Sequence, residues 1–425
     1  AGDGADQHDA IMSAYATGKE VRIRAGEWFR TTQTLSLPAG SRTRCEDPQS
    51  GGYILDMPAS DGIVLGDGSV VVGLGAKSLD YPSAAIAFDA NYILGRLCIK
   101  PGNNCILSDV YLSDLAGGID CTNKSGIVVS NIVGSKLRSR SGWSALVHSS
   151  GGSNITGHGI YGTDCDRYIE IEAGSHDCSF DAGTATNIYP NGYVGQPGAE
   201  AGTEIYAAAY SRITDIHAHV GEFGCYNVHY SNIVITNSLG GISAERSNGS
   251  DYADLSHDCS WTNITINSPR GYNPVDLQGY NLSVTGLTFG GTRNGALSRL
   301  IYTRAAVGSA AIVINGVTIP DNWYGQPVAQ FFAAGSHLLN ANVGTRSTAT
   351  VNPFYVYRVE ANNCSLEYNY TKQPTHSAAV YYFASGTTGN SRIGNTYTLP
   401  AANVPAAAVV YNGTTVTESG NADGV

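Results

Sequence analysis

The sequence predicts an all-β fold, a parallel β-solenoid (β-helix) with an N-terminal capping helix, on three observations. A polar residue followed by apolar positions at +1, +3, +6 and +8 recurs through most of the chain. Glycine is abundant, 52 of 425 residues, while charged residues make up only 14 %, a balance that suits turn-rich β structure. A short helical pattern also stands at the N-terminus, directly before the first alternating runs.

The repeat reads "NCILSDVYL" from Asn104, "GIVVSNIVG" from Gly126, "NITGHGIYG" from Asn154 and "DCSFDAGTA" from Asp177. It continues with "NVHYSNIVI" from Asn227, "DCSWTNITI" from Asp258, "NLSVTGLTF" from Asn281 and "AIVINGVTI" from Ala311. Weaker copies start at His337, Asn363 and Ser391. Most anchors lie roughly 22 to 31 residues apart, and between Asp177 and Asn227 the register is disturbed by "GQPGAEAG" and an imperfect rung, "SRITDIHAH". A period in the twenties with short alternating runs is the signature of stacked coils. Alternation turns half of each strand to an apolar interior and half to solvent.

The nine cysteines include no CxxC pair. Cys105, Cys178, Cys259 and Cys364 all occupy the +1 slot that Ile127, Ile155, Val228, Leu282 and Ile312 fill elsewhere. A buried thiol acts as a small hydrophobe, so these are read as core residues.

The opening, "GDGADQHDAIMSAYATG", predicts a glycine-rich turn and a helix capped at Asp6 and stopped at Gly18. "EVRIRAGEWFRTTQTLSLPAGSRTRC" follows as strand, Ala-Gly turn, strand, Pro-Ala-Gly turn and strand. A terminal coil would otherwise expose core and unpaired backbone, so the helix is expected to plug it. The boundaries expected are 1–19 for the cap, 20–400 for the β-helix as one domain and 401–425 for a C-terminal tail.

Nothing in the chain approaches 18 consecutive apolar residues, so no membrane insertion is expected, and no secretion signal is visible. A formal charge of −11 argues against nucleic acid as a partner. No cofactor motif stands out, and none is expected.

The GDG-x-x-D-x-x-AI helix, the "IRAGEW" strand and turn, and "TLSLPAG" together resemble the opening of pectate-lyase-like right-handed parallel β-helix proteins, bacteriophage tailspike depolymerases prominent among them. Arg24 stands where proline would be expected before Ala25-Gly26, a change confined to a turn. The resemblance covers residues 2–45 in motif and roughly 100–400 in architecture. It implies a homotrimer on the phage tail that binds, and usually cleaves, a bacterial surface polysaccharide (capsule or O-antigen). The chain starts almost on this motif, so an N-terminal virion-attachment domain is expected to lie outside it.

The alternating run before each anchor predicts a second stack of strands, among them "GGIDCT", "SALVHS", "RYIEIE", "TEIYAA", "GGISAER" and "PVDLQG". Outward slots fall to Asp120, His148, Glu170 and Glu172, Tyr206, Ser243 and Glu245, and Asp276 and Gln278. Equivalent slots of successive coils stand about 4.8 Å apart and i, i+2 neighbours about 6.6 Å apart. Two carboxylates that close repel and separate their pKa values, which suits acid/base cleavage of a glycosidic bond. Glu170 and Glu172 are therefore placed on an outer groove wall as catalytic candidates, with Asp164 and Asp166 beside them. Arg167, His148, Tyr206 and Tyr193 are expected to bind substrate, and an Arg167–Glu170 pair is the plainer reading of that stretch. Glu245 is a further catalytic candidate, in a second patch whose Arg246 and Asp276 are expected to bind substrate.

"TDCDRYIEIEAGSHDCSF" is also similar in layout to the aspartate-rich rung of polygalacturonase-type hydrolases. That likeness puts Asp166 in the acidic-pair region and Arg167 where a second aspartate would stand, which weakens a transfer of mechanism. "GHG" at 157–159 falls one coil before the acids, so His158 is assigned to a turn or another face. His217 and His219, at i, i+2 with Glu222 near, offer metal ligands or a base for β-elimination of a uronate polymer, the runner-up to hydrolysis. No metal is assigned. A non-catalytic glycan-binding adhesin is the third expectation.

Overall fold

The computed structural model describes residues 5–56, 61–78, 99–137, 145–165, 167–172, 174–188, 216–220, 225–238, 241–246, 256–269, 273–292, 299–304, 310–321, 327–345, 355–372, 379–398 and 409–423. Its contacts divide the chain into two compact units, Ala1–Tyr206 and Ala207–Val425. Each consists of parallel strands stacked coil upon coil.

In the first unit, the helix His8–Ala16 buries Ile11 and Tyr15 against the first coil. The Tyr15 hydroxyl lies 2.6 Å from Thr43 Oγ1 and 2.8 Å from the Tyr53 hydroxyl, which fixes the helix to the strands below it. Asp6 does not cap the helix as its N-cap residue, a position Gln7 occupies without a side-chain bond. Asp6 instead accepts the His8 amide at 3.0 Å and the Thr32 hydroxyl at 2.5 Å, so it ties the first turn to the coil. The expected strands and turns follow: Val21–Ile23, Trp28–Thr31, Leu35–Leu37 and Arg42–Cys45, with Gly26 and Gly40 in the left-handed region at φ 82° and 69°.

A long sheet stacks Val70–Lys77, Ile106–Ser113, Ser125–Ser135, Ser153–Thr163 and His176–Thr186 in parallel. A short sheet stacks Leu35–Leu37, Ile63–Leu65, Ile99–Lys100, Ile119–Asp120, Ala145–Ser150 and Arg167–Glu172. In the second unit the long sheet includes Tyr226–Thr236, Gly279–Gly290 and Ala310–Ile319. Its short sheet runs Ile216–Val220, Ile242–Arg246, Val275–Leu277, Ile301–Thr303, Ala329–Phe331, Tyr355–Val359, Ala379–Phe383 and Val409–Tyr411.

The repeat has a backbone cause. Eight anchors, Asn104, Gly126, Asn154, Asp177, Asn227, Asp258, Asn281 and Ala311, all take left-handed φ between 51° and 71°. A second left-handed residue follows five positions later, as at Asp109, Asn131, Gly159, Ala182 and Asn232, and often a third after five more, as at Asp114, Lys136 and Asp164. Each such residue bends the strand and shifts the alternation by one place. The inward slots therefore fall at +1 and +3, then at +6 and +8. Asparagine, aspartate and glycine hold these bends because they tolerate the conformation best.

The cysteine ladder is as expected: Cys105, Cys178, Cys259 and Cys364 are buried at the +1 slot, as are Ile127, Ile155, Val228, Leu282 and Ile312. Burial pushes the Cys364 thiol up to about 11. At two of the weak copies the frame of the coil differs from the expected one. The left-handed anchors there are Gly335 and Gly389, two residues before His337 and Ser391. The stretch expected as a tail from 401 holds Val409–Tyr411, Val416–Ser419 and Ala422–Asp423, which pair with the preceding coil and carry the solenoid to residue 423.

Ala311 holds a corner at φ 58° where the coil before it has Asn281. An alanine there sits in a conformation that costs an L-residue roughly 1–2 kcal/mol. Ala311→Asn is expected to raise unfolding stability by about 1 kcal/mol, read as a higher urea midpoint at unchanged slope. A midpoint at or below that of the parent would contradict a strained corner.

Candidate functional site

The short sheet of the first unit sorts its residues by face. Leu35, Ile63, Ile99, Ile119, Val147 and Ile169 form the inward row, all buried. The outward row reads Ser36, Val64, Lys100, Asp120, His148 and Glu170 in register. Three groups that the strand pattern placed outward, Asp120, His148 and Glu170, thus stand in adjacent rungs of one row.

Basic and acidic groups alternate along it. Lys100 Nζ lies 2.8 Å from Asp61 Oδ1 and 4.0 Å from Asp120 Oδ2. His148 Nδ1 lies 3.1 Å from Asp120 Oδ1, and the Thr122 hydroxyl and amide donate to that same oxygen at 2.6 Å and 3.1 Å. Burial works to raise the Asp120 pKa, but the hydrogen bond and charge of His148 and the Thr122 donors outweigh it. The carboxyl is held well below the usual range, so Asp120 is an anion throughout the neutral region.

Glu170 departs from its expected setting. It occupies the outward slot but is 1 % exposed, and it forms an ion pair with Arg167, itself fully buried at the start of the same strand. A wall position had been expected; the two opposite charges instead neutralise each other out of water, as burial of either one requires. Arg167 is accordingly a partner of Glu170 and not an exposed substrate contact. Asp164 is likewise corrected. It is a left-handed corner residue at φ 56° that accepts a hydrogen bond from Asn187 Nδ2 at 3.0 Å, so it shapes the turn.

Glu172 takes the next outward slot of the strand, its backbone paired with Ser150. Its side chain lies outside the described residues, as do Asp166, Tyr193 and Tyr206. His158 is on the outer side of the long sheet, 3.3 Å from Asp181, away from the row. His176 and His257 bond the corner aspartates Asp177 and Asp258 at 2.8 Å and 2.7 Å, which makes them structural. Lys100 and the pairing of Asp120 with His148 were missed as site features. The signal for Asp120 was its strand phase; its partner lies 28 residues away in sequence.

The second unit has its own outward row, Ser243, Asp276, Tyr302, Gln330, Arg358 and Tyr382, and the backbone of His217 pairs with Ser243. Asp276 is buried, and Arg304 grips both its oxygens at 2.6 Å and 2.5 Å while Asn273 donates at 3.2 Å. Burial pushes this carboxyl up, and Arg304, Asn273 and the charge of Arg299 only partly pull it back. The cation expected beside Asp276 was Arg246, which occupies the backbone position paired with Val220. The strand position of Glu245 pairs with His219; the side chains of Glu245, Arg246, His217 and His219 lie outside the described residues, as does Glu222.

Beyond Asp276 the row turns aromatic. The Arg299 guanidinium stacks 3.9 Å over the Tyr302 ring and donates to Gln330 Oε1 at 2.9 Å. Gln330 donates on to Glu360 at 2.7 Å, and Glu360 pairs with Arg358 at 2.5 Å. Tyr382 stacks on Tyr355 at 4.3 Å between centroids. Among the described residues, no group of three or more His, Cys, Asp or Glu could hold a metal ion.

No protein-family model matches the chain, and no curated protein does. Solved structures do. A mutant tailspike protein of E. coli bacteriophage HK620 in complex with a pentasaccharide matches at a TM-score of 0.57 and 12 % identity, over 99 % of this chain and 75 % of that one. A further mutant of that tailspike, also in complex with a pentasaccharide, matches at 0.63 and 11 % over the same shares. The pre-mature gene product 12 of bacteriophage phi29 matches at 0.62 and 11 %, over 98 % of this chain and 54 % of that one. The chain has the tailspike fold. At such identity the likeness is one of architecture, and the chemistry has to be read from the rows above.

Because the Asp120 pKa is lower folded than unfolded, its ionised form stabilises the fold above about pH 4, and that stability is lost as pH falls further. Asp120→Asn is expected to lower the thermal midpoint at neutral pH, with the gap to the parent closing progressively below about pH 4. Equal gaps at neutral pH and at about pH 3 would show that the ionised carboxylate is not what counts.

Proposed function

We propose that this protein binds a bacterial surface polysaccharide and cleaves it internally by hydrolysis, acting from a phage tail as a homotrimer. The observation that carries the reading is the outward row in which Asp120, His148 and Glu170 occupy successive rungs, with Glu172 one outward slot further along. Hydrolysis of a glycosidic bond needs one carboxyl to protonate the leaving oxygen and another to activate water or attack. Asp120, held ionised by His148 and Thr122 while a quarter of its side chain reaches solvent, is assigned as the carboxylate that orients the attacking water. Glu170 is engaged by Arg167, so the acid is assigned to Glu172, about 6.6 Å along the strand from Glu170. It stands two rungs from Asp120, roughly 12 Å between backbones, which the two side chains close by leaning towards each other. The Arg167–Glu170 pair then positions this strand. Tailspike proteins of the same fold have been solved with penta- and hexasaccharides, which supports a saccharide strand as the ligand.

One observation favours a second reading. The contact of His148 with Asp120 at 3.1 Å, with Lys100 in the next rung, is also the arrangement of a base and a cation for β-elimination of a uronate polymer.

The test is digestion of a panel of capsular and lipopolysaccharide glycans, followed by reducing ends and by the ultraviolet absorbance of unsaturated uronates. New reducing ends without that absorbance are expected, with Asp120→Asn and Glu172→Gln each slowing cleavage by about 100-fold or more while glycan binding persists. Absorbance rising in step with the reducing ends would replace hydrolysis by elimination. Tight binding by the parent with no cleavage of any glycan would make it an adhesin and end both readings. Native mass tests the trimer.

A further inference from the structure

The outward row of the second unit carries a group that the proposed chemistry does not use. Arg304 is committed to Asp276 and Arg358 to Glu360, whereas Arg299 donates to the neutral Gln330 oxygen, stacks on the Tyr302 ring and acts on Asp276 through its charge without an ion-pair contact. Among the described residues, no carboxylate lies within ion-pair distance of it. Three guanidinium groups thus stand against two carboxylates, an excess of one positive charge on the face of a chain whose formal charge is −11. The arrangement is also fixed in advance. Gln330 is held by Arg299 on one side and Glu360 on the other, and Glu360 forms an ion pair with Arg358, whose guanidinium lies 5.7 Å from the Tyr382 ring, so a polar chain runs from Arg299 to Arg358 between the two tyrosines.

Each part of this strip has a counterpart in a sugar polymer. The rung spacing of about 4.8 Å is close to the length of one pyranose ring, so successive outward side chains meet successive sugars. Half-buried Tyr302 and Tyr382 present apolar ring surface with polar edges, which suits the mixed faces of a pyranose. A planar guanidinium with an uncommitted edge matches a carboxylate by two parallel hydrogen bonds, and here its plane is already oriented by stacking on Tyr302.

We infer that the Tyr302–Tyr382 strip is a saccharide-binding surface selective for a carboxylate-bearing sugar, with Arg299 as the residue that reads the carboxylate. This rests on the proposed polysaccharide ligand and adds its chemical class, an acidic glycan. Recognition here is independent of how the polymer is cut.

The test is equilibrium binding to a panel of bacterial surface polysaccharides, acidic and neutral, each acidic one also in a form whose carboxyls have been reduced to alcohols. The parent protein is expected to lose about tenfold or more in affinity when the preferred polymer is carboxyl-reduced. Arg299→Gln should lose a similar factor on the acidic polymer and nothing on its reduced form, and Arg299→Lys should recover part of it, since charge returns without the planar fork. A structural role for Arg299 would weaken both forms alike. Equal affinity for the two forms, preference for neutral polymers alone, or an Arg299→Gln protein that still discriminates would overturn the inference and leave polysaccharide binding standing. Binding to no polymer of the panel would remove the proposed function, and the inference with it.

Discussion

A parallel solenoid closes only if the chain turns at each corner without losing its inward face, and here one backbone device does this. A residue in the left-handed region, repeated every five positions along the long strands, bends the chain and shifts the side-chain phase by one. Without that shift, strict alternation from +1 would put +6 and +8 outside, and Val110, Leu112, Ile132 and Ile160 would face water instead of the core they fill. The corners also hold one another. Asn131 donates to Asp109 at 3.1 Å, Asn263 to Asn232 at 3.1 Å and Asn281 to Asp258 at 3.1 Å, each reaching the corner of the coil before it. Because the coils stack in register from these corners, every outward row, and so every candidate site, inherits its alignment from them.

The sequence shows this device through its side-chain consequence. Asparagine, aspartate and glycine at the anchors, with apolar residues at fixed offsets, are enough to align eight coils and to put Cys105, Cys178, Cys259 and Cys364 in the core. The reading slips where the inward slots stop being apolar. After the Gly389 corner those slots hold Asn390, Arg392, Asn395 and Tyr397, all buried, so the apolar pattern pointed to a frame two residues late. What makes them tolerable inside is remote in sequence: Asn395 Nδ2 donates to Leu366 O at 2.6 Å, and Arg392 grips Asp423 at 2.6 Å and 2.7 Å. A buried polar group needs such partners. No local pattern announces them.

The same division runs through the candidate site. Strand phase was enough to place Asp120, His148, Glu170 and Asp276 outward, because parity is local. Exposure was not, because it depends on what each group meets in neighbouring rungs. Stacked rungs bring outward side chains to about 4.8 Å, a distance at which like charges destabilise the stack and unlike ones support it. The row Lys100, Asp120, His148 obeys that rule, with Asp61 on the far side of Lys100. In the second unit, Tyr302, Gln330 and Tyr382 keep like charges apart while still offering polar edges.

This suggests a way to separate carboxylates that hold the scaffold from those available for chemistry. Glu170 and Asp276 sit in equivalent outward slots of their units, and each is buried with an arginine locked onto it. Removing either arginine would leave an unpaired buried charge, which costs several kcal/mol, so such pairs act as pins whose replacement is felt in folding before it is felt in function. Asp120 differs in kind. Its partners are an imidazole that can give up its proton, a lysine at the limit of ion-pair distance and two hydrogen bonds from Thr122, and it keeps a quarter of its side chain in solvent. A carboxylate that stays charged, remains accessible and lies beside an imidazole is available to orient water and to stabilise positive charge that develops on a substrate. A pinned carboxylate in the same row, as Glu170 is two rungs from Asp120, supplies the rigidity that chemistry needs, and the price of reading it as catalytic is to mistake the frame for the site.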